Sequence, residues 1–473
     1  MKKIILLLII CTNSFSQDFT LQWINTFGTN QYDAPHSLIT TSDGGYVIAG
    51  IMNQNPFLSS TLEVIKLDNS GGLVWQTSIP SSIGASVLQA SDGGYLIGGT
   101  KITGSQKDFY IVKLDSAGQI SWEVTYSGGT NAQLNSIAQA PDGGYLLAGT
   151  LFNNFFIVRV TASGNLLWQK SLGSGYLDIA TSIICLADKI IVAGRAGCGG
   201  DVGCHFSYDD RGWIVCLDYN NNILWQEDYS NGVGNWIEDI KVAPDGGFIC
   251  TGYTNGNLWL LKVNSTGVYQ WAKTFDGSGY ERGYSINVTS DGNYLVGGGS
   301  QVYSNPIGAV MGQANGTGRA WLAKLDLYGN IMWHKRIGGT IHDNIRYEEI
   351  RDVKEIAPGE YIICGNTSSN TGDIPVNYGW FDWFVCKLSV TLDTDDVVQQ
   401  DIQIYPNPVE NKIFIKLPDN TAAEKILIST ADGKIVISVP KAKELDVSGL
   451  TAGIYFVSFQ VLDKRYVKKI IKS

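Results

Sequence analysis

The sequence predicts an all-β protein: a seven-bladed β-propeller of four-stranded blades, with its N-terminal strand closing the last blade. A small C-terminal β-sandwich follows. Three observations carry this prediction. Glycine is in excess, a hairpin phrase recurs seven times, and the two ends of the repeat array are complementary.

Glycine accounts for 55 of 473 residues, where an average composition of ~7% would give about 33. Charged residues make up 16%, against about 25% in typical domains. Hydrophobic residues reach 44%, enough to build a large core. Many turns and few charges point to all-β structure.

The phrase Ser42-Asp43-Gly44-Gly45-Tyr46 returns at Ser91–Tyr95, Pro141–Tyr145, Pro244–Phe248 and Ser290–Tyr294. Weaker copies start at Ala187 and Ala357. Asp-Gly between two β-rich runs reads as a tight hairpin, because glycine accepts the positive φ of the turn. Six positions before each turn stands a small polar or acidic residue: Ser37, Ser86, Ser136, Ser182, Asp239, Ser285 and Asp352. Each turn is followed by an apolar strand ending in glycine (Gly50, Gly99, Gly149, Gly194, Gly252, Gly298, Gly365). Such glycines suggest close backbone approach.

A second phrase runs from Ile65-Lys66-Leu67-Asp68 through Gly71 to Trp75, and the same layout ends at Trp122, Trp168, Trp225, Trp271 and Trp333. A basic residue precedes this turn in most copies, with Cys216 the exception. A large aromatic at a regular period reads as a packing anchor between repeats. Each repeat thus holds four strands, A to D, as a propeller blade requires. The chain opens with a lone D-type strand containing Trp23, and the seventh copy lacks a following Trp strand. Pairing these ends would remove two exposed edges. The pattern resembles bacterial secreted propellers of the Asp-Gly-Gly-Tyr type. The Asp-x-x-Gly-x-x-x-Trp phrase is also similar to the Trp-docking repeat of quinoprotein propellers, a likeness that implies blade packing and no cofactor.

Lys2 and Lys3, an apolar run over 4–10 and the small residues Ser14 and Ser16 form a signal-peptide pattern over 1–16, with cleavage before Gln17. The run is too short to span a bilayer. Ile10 is bulky where a lipobox has a small residue, so Cys11 is not read as lipidated. Export permits disulfides. Seven cysteines follow the signal, an odd number. Cys185, Cys250, Cys364 and Cys386 lie in apolar runs and read as buried. Cys198 and Cys204, in one Gly-rich insertion, are the disulfide candidates. A metal site on Cys198, Cys204, His205 and a nearby Asp fits no standard spacing, so no metal is expected.

Residues 17–400 carry 21 Lys+Arg against 36 Asp+Glu, a net of −15. An acidic body disfavours nucleic acid, which needs a basic patch. No other apolar run is long enough for a transmembrane segment. The four histidines form no metal spacing, and no nucleophile elbow or phosphate loop occurs. No catalytic residue and no cofactor are therefore assigned.

The long insertions, 195–212, 299–319 and 366–381, all fall between strands B and C, on one rim. Variation piled on one face marks the functional side. Candidate contacts there are Tyr208, Trp236, Tyr280, Tyr303, Tyr378 and Trp380. They suit sugar rings or a protein partner. Ser37, Ser86, Ser136, Ser182, Asp239, Ser285 and Asp352 lie on strand A and are expected to line the channel. They would hold water or a cation there, or bond to neighbouring blades. The expectation is a propeller (17–392) that binds glycan or protein. A polysaccharide hydrolase or lyase with acids on the long-loop rim, and a structural surface component, are the alternatives.

An acidic, glycine-free linker (393–401) leads into the segment 402–473, and residues 401–473 together carry 11 Lys+Arg against 8 Asp+Glu. The segment contains Tyr405-Pro406-Asn407-Pro408, Asp432-Gly433-Lys434, Leu450 to Gly453-Ile454-Tyr455, and a terminal strand with Lys468, Lys469 and Lys472. Alternating strands between such turns indicate a small sandwich. These phrases resemble the type A C-terminal sorting domain of the type IX secretion system of Bacteroidota. The resemblance implies export through the periplasm to the cell surface or exterior. The implied partners are the translocon and a sortase-like peptidase.

Overall fold

The computed structural model describes residues 18–55, 59–126, 131–202, 210–230, 234–275, 280–301, 320–339, 348–391, 403–417, 423–430, 435–461 and 464–473. The chain divides into two compact units, Met1–Val390 and Thr391–Ser473. The signal-peptide pattern lies outside the described residues, as do positions 393–401.

The first unit opens with β1 (Asp18–Phe27). Five four-stranded antiparallel sheets follow. The first is β2 (Tyr32–Thr40), β3 (Tyr46–Asn55), β4 (Ser59–Leu67) and β5 (Leu73–Pro80); the second is β6 (Ser82–Gln89), β7 (Tyr95–Thr103), β8 (Gln106–Leu114) and β9 (Ile120–Tyr126). The third is β10 (Gln133–Gln139), β11 (Tyr145–Leu151), β12 (Asn154–Val160) and β13 (Leu166–Leu172). The fourth is β14 (Ile179–Cys185), β15 (Ile190–Ala196), β16 (Arg211–Leu217) and β17 (Ile223–Tyr229). The fifth is β18 (Asn235–Val242), β19 (Phe248–Thr254), β20 (Asn257–Val263) and β21 (Tyr269–Phe275).

The remaining strands are β22 (Tyr280–Val288), β23 (Tyr294–Gln301), β24 (Ala320–Leu325), β25 (Ile331–Ile337), β26 (Glu348–Ala357), β27 (Glu360–Thr367) and β28 (Asp382–Thr391). With β1 they form one eight-stranded sheet. A single pair, Gly299 with Glu349, joins its two halves. The second half runs β26, β27, β28, β1, so the first strand of the chain sits beside the last of the repeats. This is a β-propeller.

Two side-chain devices explain the repeated phrases. The strand-C lysine reaches back to the hairpin aspartate: Lys66 to Asp43 at 2.6 Å, Lys113 to Asp92 at 2.8 Å, Lys262 to Asp245 at 2.8 Å and Lys324 to Asp291 at 2.7 Å. The Lys66 hydrogen bond holds the Asp43 carboxyl down at about 2. The strand-D tryptophan docks on the following repeat. A Cβ on Gly118 would lie 2.6 Å from Trp75, and the Trp75 and Tyr95 rings are 5.7 Å apart. Trp23 repeats this with Gly71 (2.8 Å) and Tyr46 (6.0 Å). The turn tyrosine and turn glycine are therefore the two sides of a tryptophan seat. Between sheets lie clusters of fully buried side chains, such as Leu146, Phe155, Ile157, Val192 and Val215.

The second unit has two sheets. β29 (Gln403–Tyr405), β30 (Lys412–Lys416) and β33 (Glu444–Asp446) form one; β31 (Ala423–Thr430), β32 (Ile435–Ala442), β34 (Gly453–Val461) and β35 (Lys464–Lys472) form the other, in the order β32-β31-β34-β35. Ile413, Ile426, Ile428, Leu445, Val457 and Ile470 fill the core. Asn407 explains why the Tyr-Pro-Asn-Pro phrase accompanies the Lys-rich terminal strand. Its amide donates to Lys469 O at 3.0 Å and its carbonyl accepts Ile471 N–H at 2.8 Å. Tyr405 stacks on Phe414, and the buried Tyr455 donates to Thr451 O at 3.0 Å. Pro406, Pro408 and Gly453 are exposed, as is Lys469, while Lys468 and Lys472 are half-buried. Gly433 lies outside the described residues.

Candidate ligand site in the axial cavity

Strand A of all seven repeats lines a central cavity of about 220 Å³. Ser37, Ser86, Ser136, Ser182, Asp239, Ser285 and Asp352 all face it. These residues act between neighbouring repeats. Ser37 Oγ accepts Val87 N–H and Ser136 Oγ accepts Ile183 N–H, both at 3.2 Å. Asp239 accepts Ile286 N–H at 3.0 Å, and Asp352 accepts Leu38 N–H at 2.9 Å. Ser182 donates to Asp239 and Ser285 donates to Asp352. Each carboxylate also takes a lysine two residues on: Lys241 at 2.5 Å and Lys354 at 2.7 Å. Burial pushes Lys354 down, but the Asp352 charge and hydrogen bond outweigh it, so its pKa ends above the ordinary lysine value. Among the described residues, no group of His, Cys, Asp and Glu is arranged to hold a metal ion.

A second ring was not legible from residue type. In every repeat the A–B register slips by one residue just before the small polar position. Such a bulge leaves one residue unpaired and re-aims its side chain. The bulged residues are His36, Ala85, Asn135, Thr181, Glu238, Tyr284 and Arg351, and all seven line the cavity. The strand-end glycines permit the bulges. A Cβ at Gly252 would lie 1.8 Å from Trp236 O, and one at Gly194 would lie 1.9 Å from Ile179 O. That glycine was the available signal, since a glycine inside a strand pattern marks bulges.

The bulge ring differs at all seven positions. Asn135 donates to Ala180 O at 2.8 Å and Thr181 to Ile237 O at 2.6 Å, both in the next repeat. His36 makes the same kind of bond to Gly84 O through Nδ1. Burial, aided by the Arg351 charge, pushes His36 down to about 4, so its ring is neutral at pH 7.

Above the ring, towards the starts of the A strands, the cavity widens to a mouth of about 330 Å³. This end holds the B–C connections, the site of the long insertions. One wall is apolar: Ile83, Ala85 and Ile179, backed by the buried Leu134. The opposite wall holds Arg282, Tyr284 and Arg351, and behind it a ladder of guanidiniums and rings continues through Trp236 to Arg195. Arg195 lies 4.1 Å from the Trp236 centroid and Arg282 lies 4.8 Å from it. Arg282 lies 5.2 Å from Tyr284, and Arg351 lies 4.3 Å from Tyr284. Each arginine has a carboxylate: Asp210 at 3.5 Å from Arg195, Glu238 bonded to Arg282, and Glu349 at 2.8 Å from Arg351. Tyr284 donates to Glu349 at 2.9 Å, and burial holds its phenol well above the ordinary range.

The rim aromatics divide. Trp236 stands between Arg195 of the preceding repeat and Arg282 of the following one, and its Nε1 donates to Asp210. Tyr378 and Trp380 are exposed, Trp380 by 76%. Their loop is pinned: Asp33 N–H donates to Phe381 O at 3.0 Å, and Tyr378 N–H bonds to Asp382. Tyr280 starts β22, whereas Tyr208 and Tyr303 lie outside the described residues. Cys198 is disulfide-bonded, and Cys204 lies outside the described residues. Cys185, Cys216, Cys250, Cys364 and Cys386 are free thiols.

Residues 403–473 match the secretion system C-terminal sorting domain, and this domain directs the chain through the secretion machinery to the cell surface or exterior. No curated protein matches the chain. Among solved structures the chain is similar to Sqt1 from Chaetomium thermophilum, at 12% identity over 84% of this chain and 97% of that one, with a TM-score of 0.46. It is also similar to YCF48 bound to D1 peptide, at 10% identity over 78% and 97%, with a TM-score of 0.45. Residues 20–273 match the family described as outer membrane protein assembly factor BamB, and by that match, covering more than half of its length, the chain belongs to this family.

Proposed function

We propose that the protein is a secreted binding module that captures a glycan or a protein at the long-loop end of its propeller. One observation carries this reading. The devices that hold the repeats together recur from copy to copy, while at one end the bulge ring differs in every copy and the B–C loops range from two-residue turns to long insertions. Uniform scaffold with variation at one end is how folds host binding sites. Trp380 supports it, being a large exposed aromatic on a pinned loop, since rigid aromatic anchors lose little entropy on binding.

In this reading residues 1–16 are removed as a signal peptide, 17–392 form seven blades, 393–401 are a linker, and 402–473 are cut away by a sortase-like peptidase. The full-length secreted protein, tested on a glycan array and in polysaccharide-degradation assays, checks the reading. Saturable retention without release of products is expected. Release of reducing ends or unsaturated products would make it an enzyme. A reporter fused to 402–473 is expected outside the cell of a type IX-competent host, and retention in the periplasm would refute the export route.

A further inference from the structure

We propose that the mouth of the axial cavity is a glycan subsite that takes one uncharged sugar ring end-on, between the apolar wall and the arginine ladder. This rests on the binding-module reading and narrows it.

The mouth measures about 330 Å³, at the small end of the ~300–1,000 Å³ range of ligand pockets. It suits one ring, with the rest of a chain leaving through the long-loop end. Charge argues for a neutral ligand. Arg282 and Arg351 in the wall of the mouth each face their own carboxylate, as do Lys241 and Lys354 deeper in the cavity. An anionic ligand would have to displace a carboxylate already in place, and so leave that carboxylate unpaired. Sugar hydroxyls both donate and accept, and the lining offers both kinds of partner. Glu238 supplies acceptors, Asn135 and Arg351 supply donors, and no two adjacent bulge positions repeat a chemistry. The C–H face of a pyranose has its match in Ile83, Ala85 and Ile179.

Stacking on the ladder itself is closed off. Trp236 lies between two guanidiniums, and so does Tyr284. The rings therefore hold the arginines in place, and the site binds by hydrogen bonds across the mouth. Ala85 is the one bulge residue with no side-chain polar group, and it leaves the ring open at its apolar side.

The test uses full-length protein with immobilised neutral oligosaccharides of gluco, manno and galacto configuration, beside matching uronic-acid oligosaccharides. Wild type is expected to retain at least one neutral series and release it to the free reducing-end-blocked monosaccharide. Ala85→Phe is expected to weaken that retention at least tenfold, and Ala85→Val less, with melting temperatures checked for each. Tyr328→Ala, on the exposed turn at the other end, is expected to leave it unchanged. Equal retention by wild type and both Ala85 variants would overturn the subsite. Retention of only uronic-acid chains or of a purified protein would also overturn it, while leaving the binding-module reading standing. Retention of no oligosaccharide would overturn the subsite and the glycan arm of the binding-module reading together.

Discussion

Asp352 Oδ2 accepts the backbone N–H of Leu38 at 2.9 Å, joining residues 314 positions apart. The same carboxylate takes the Ser285 hydroxyl, the Val353 N–H and the Lys354 ammonium on its other oxygen. Truncation leaves the buried Leu38 amide and the half-buried Lys354 ammonium without this partner. Asp352→Ala is expected to cost about 3 kcal/mol in urea unfolding read by tryptophan fluorescence. Ser37→Ala, which removes a single neutral acceptor at 3.2 Å, should cost about 1 kcal/mol. Equal costs would show that the carboxylate is no special latch.

Trp23 carries the closure on the outer side. It sits on Gly71 and Tyr46 of the first repeat, and β1 borders β28. Deleting residues 17–28 exposes an edge strand and empties that seat. The melting temperature of the propeller is expected to fall by more than ten degrees, and Trp23→Ala alone should cost about 3 kcal/mol. An unchanged melting temperature after the deletion would remove β1 from the closure.

The strand-end glycines test the bulges. Gly252→Ala brings a methyl group against Trp236 O. The backbone must move, which flattens the bulge that aims Glu238. A loss of about 3 kcal/mol is expected, the upper end of overpacking costs. Gly44→Ala meets nothing within 4 Å but holds φ at +80°, so its cost is conformational, about 1 kcal/mol. Thermal unfolding of the two variants side by side separates the steric cause from the torsional one.

These contrasts also mark where reading residues stops. Trp75, Gly118 and Tyr95 stand at fixed spacings, so the seats between repeats were visible as a period. The small polar ring was visible the same way, through its constant offset from the Asp-Gly turn. Arg351 and Tyr284 were not, because a bulge adds one residue without changing the turn-to-turn count. Their ring has no period of residue type, since each position does something different. The Arg195–Trp236 contact joins strand B of one repeat to strand A of the next, and linear spacing carries no signal for it.

Two desolvated groups contribute opposing slopes to the pH dependence of stability. Burial raises Asp382 from the ordinary carboxyl value to about 6, and its Oδ1 has no partner. Between pH 4 and 6 the folded state then holds a proton that the unfolded state has lost, so stability falls as pH rises through this window. Above pH 6 the charged form is buried throughout and the curve is level. His36, held near 4 by burial, acts the other way. Between pH 4 and 6.5 the unfolded chain takes a proton that the folded one refuses, so stability rises with pH there. The wild-type curve mixes both slopes, and difference curves separate them. Asp382→Asn keeps an acceptor for the Tyr378 N–H and carries no charge. Its gain over wild type should be near zero at pH 4, grow to pH 6 and stay constant to pH 8. His36→Gln should show a gain at pH 4 that fades by pH 7. Melting temperatures taken every half unit check both, and a flat Asp382→Asn difference would mean that this carboxyl titrates normally in the fold.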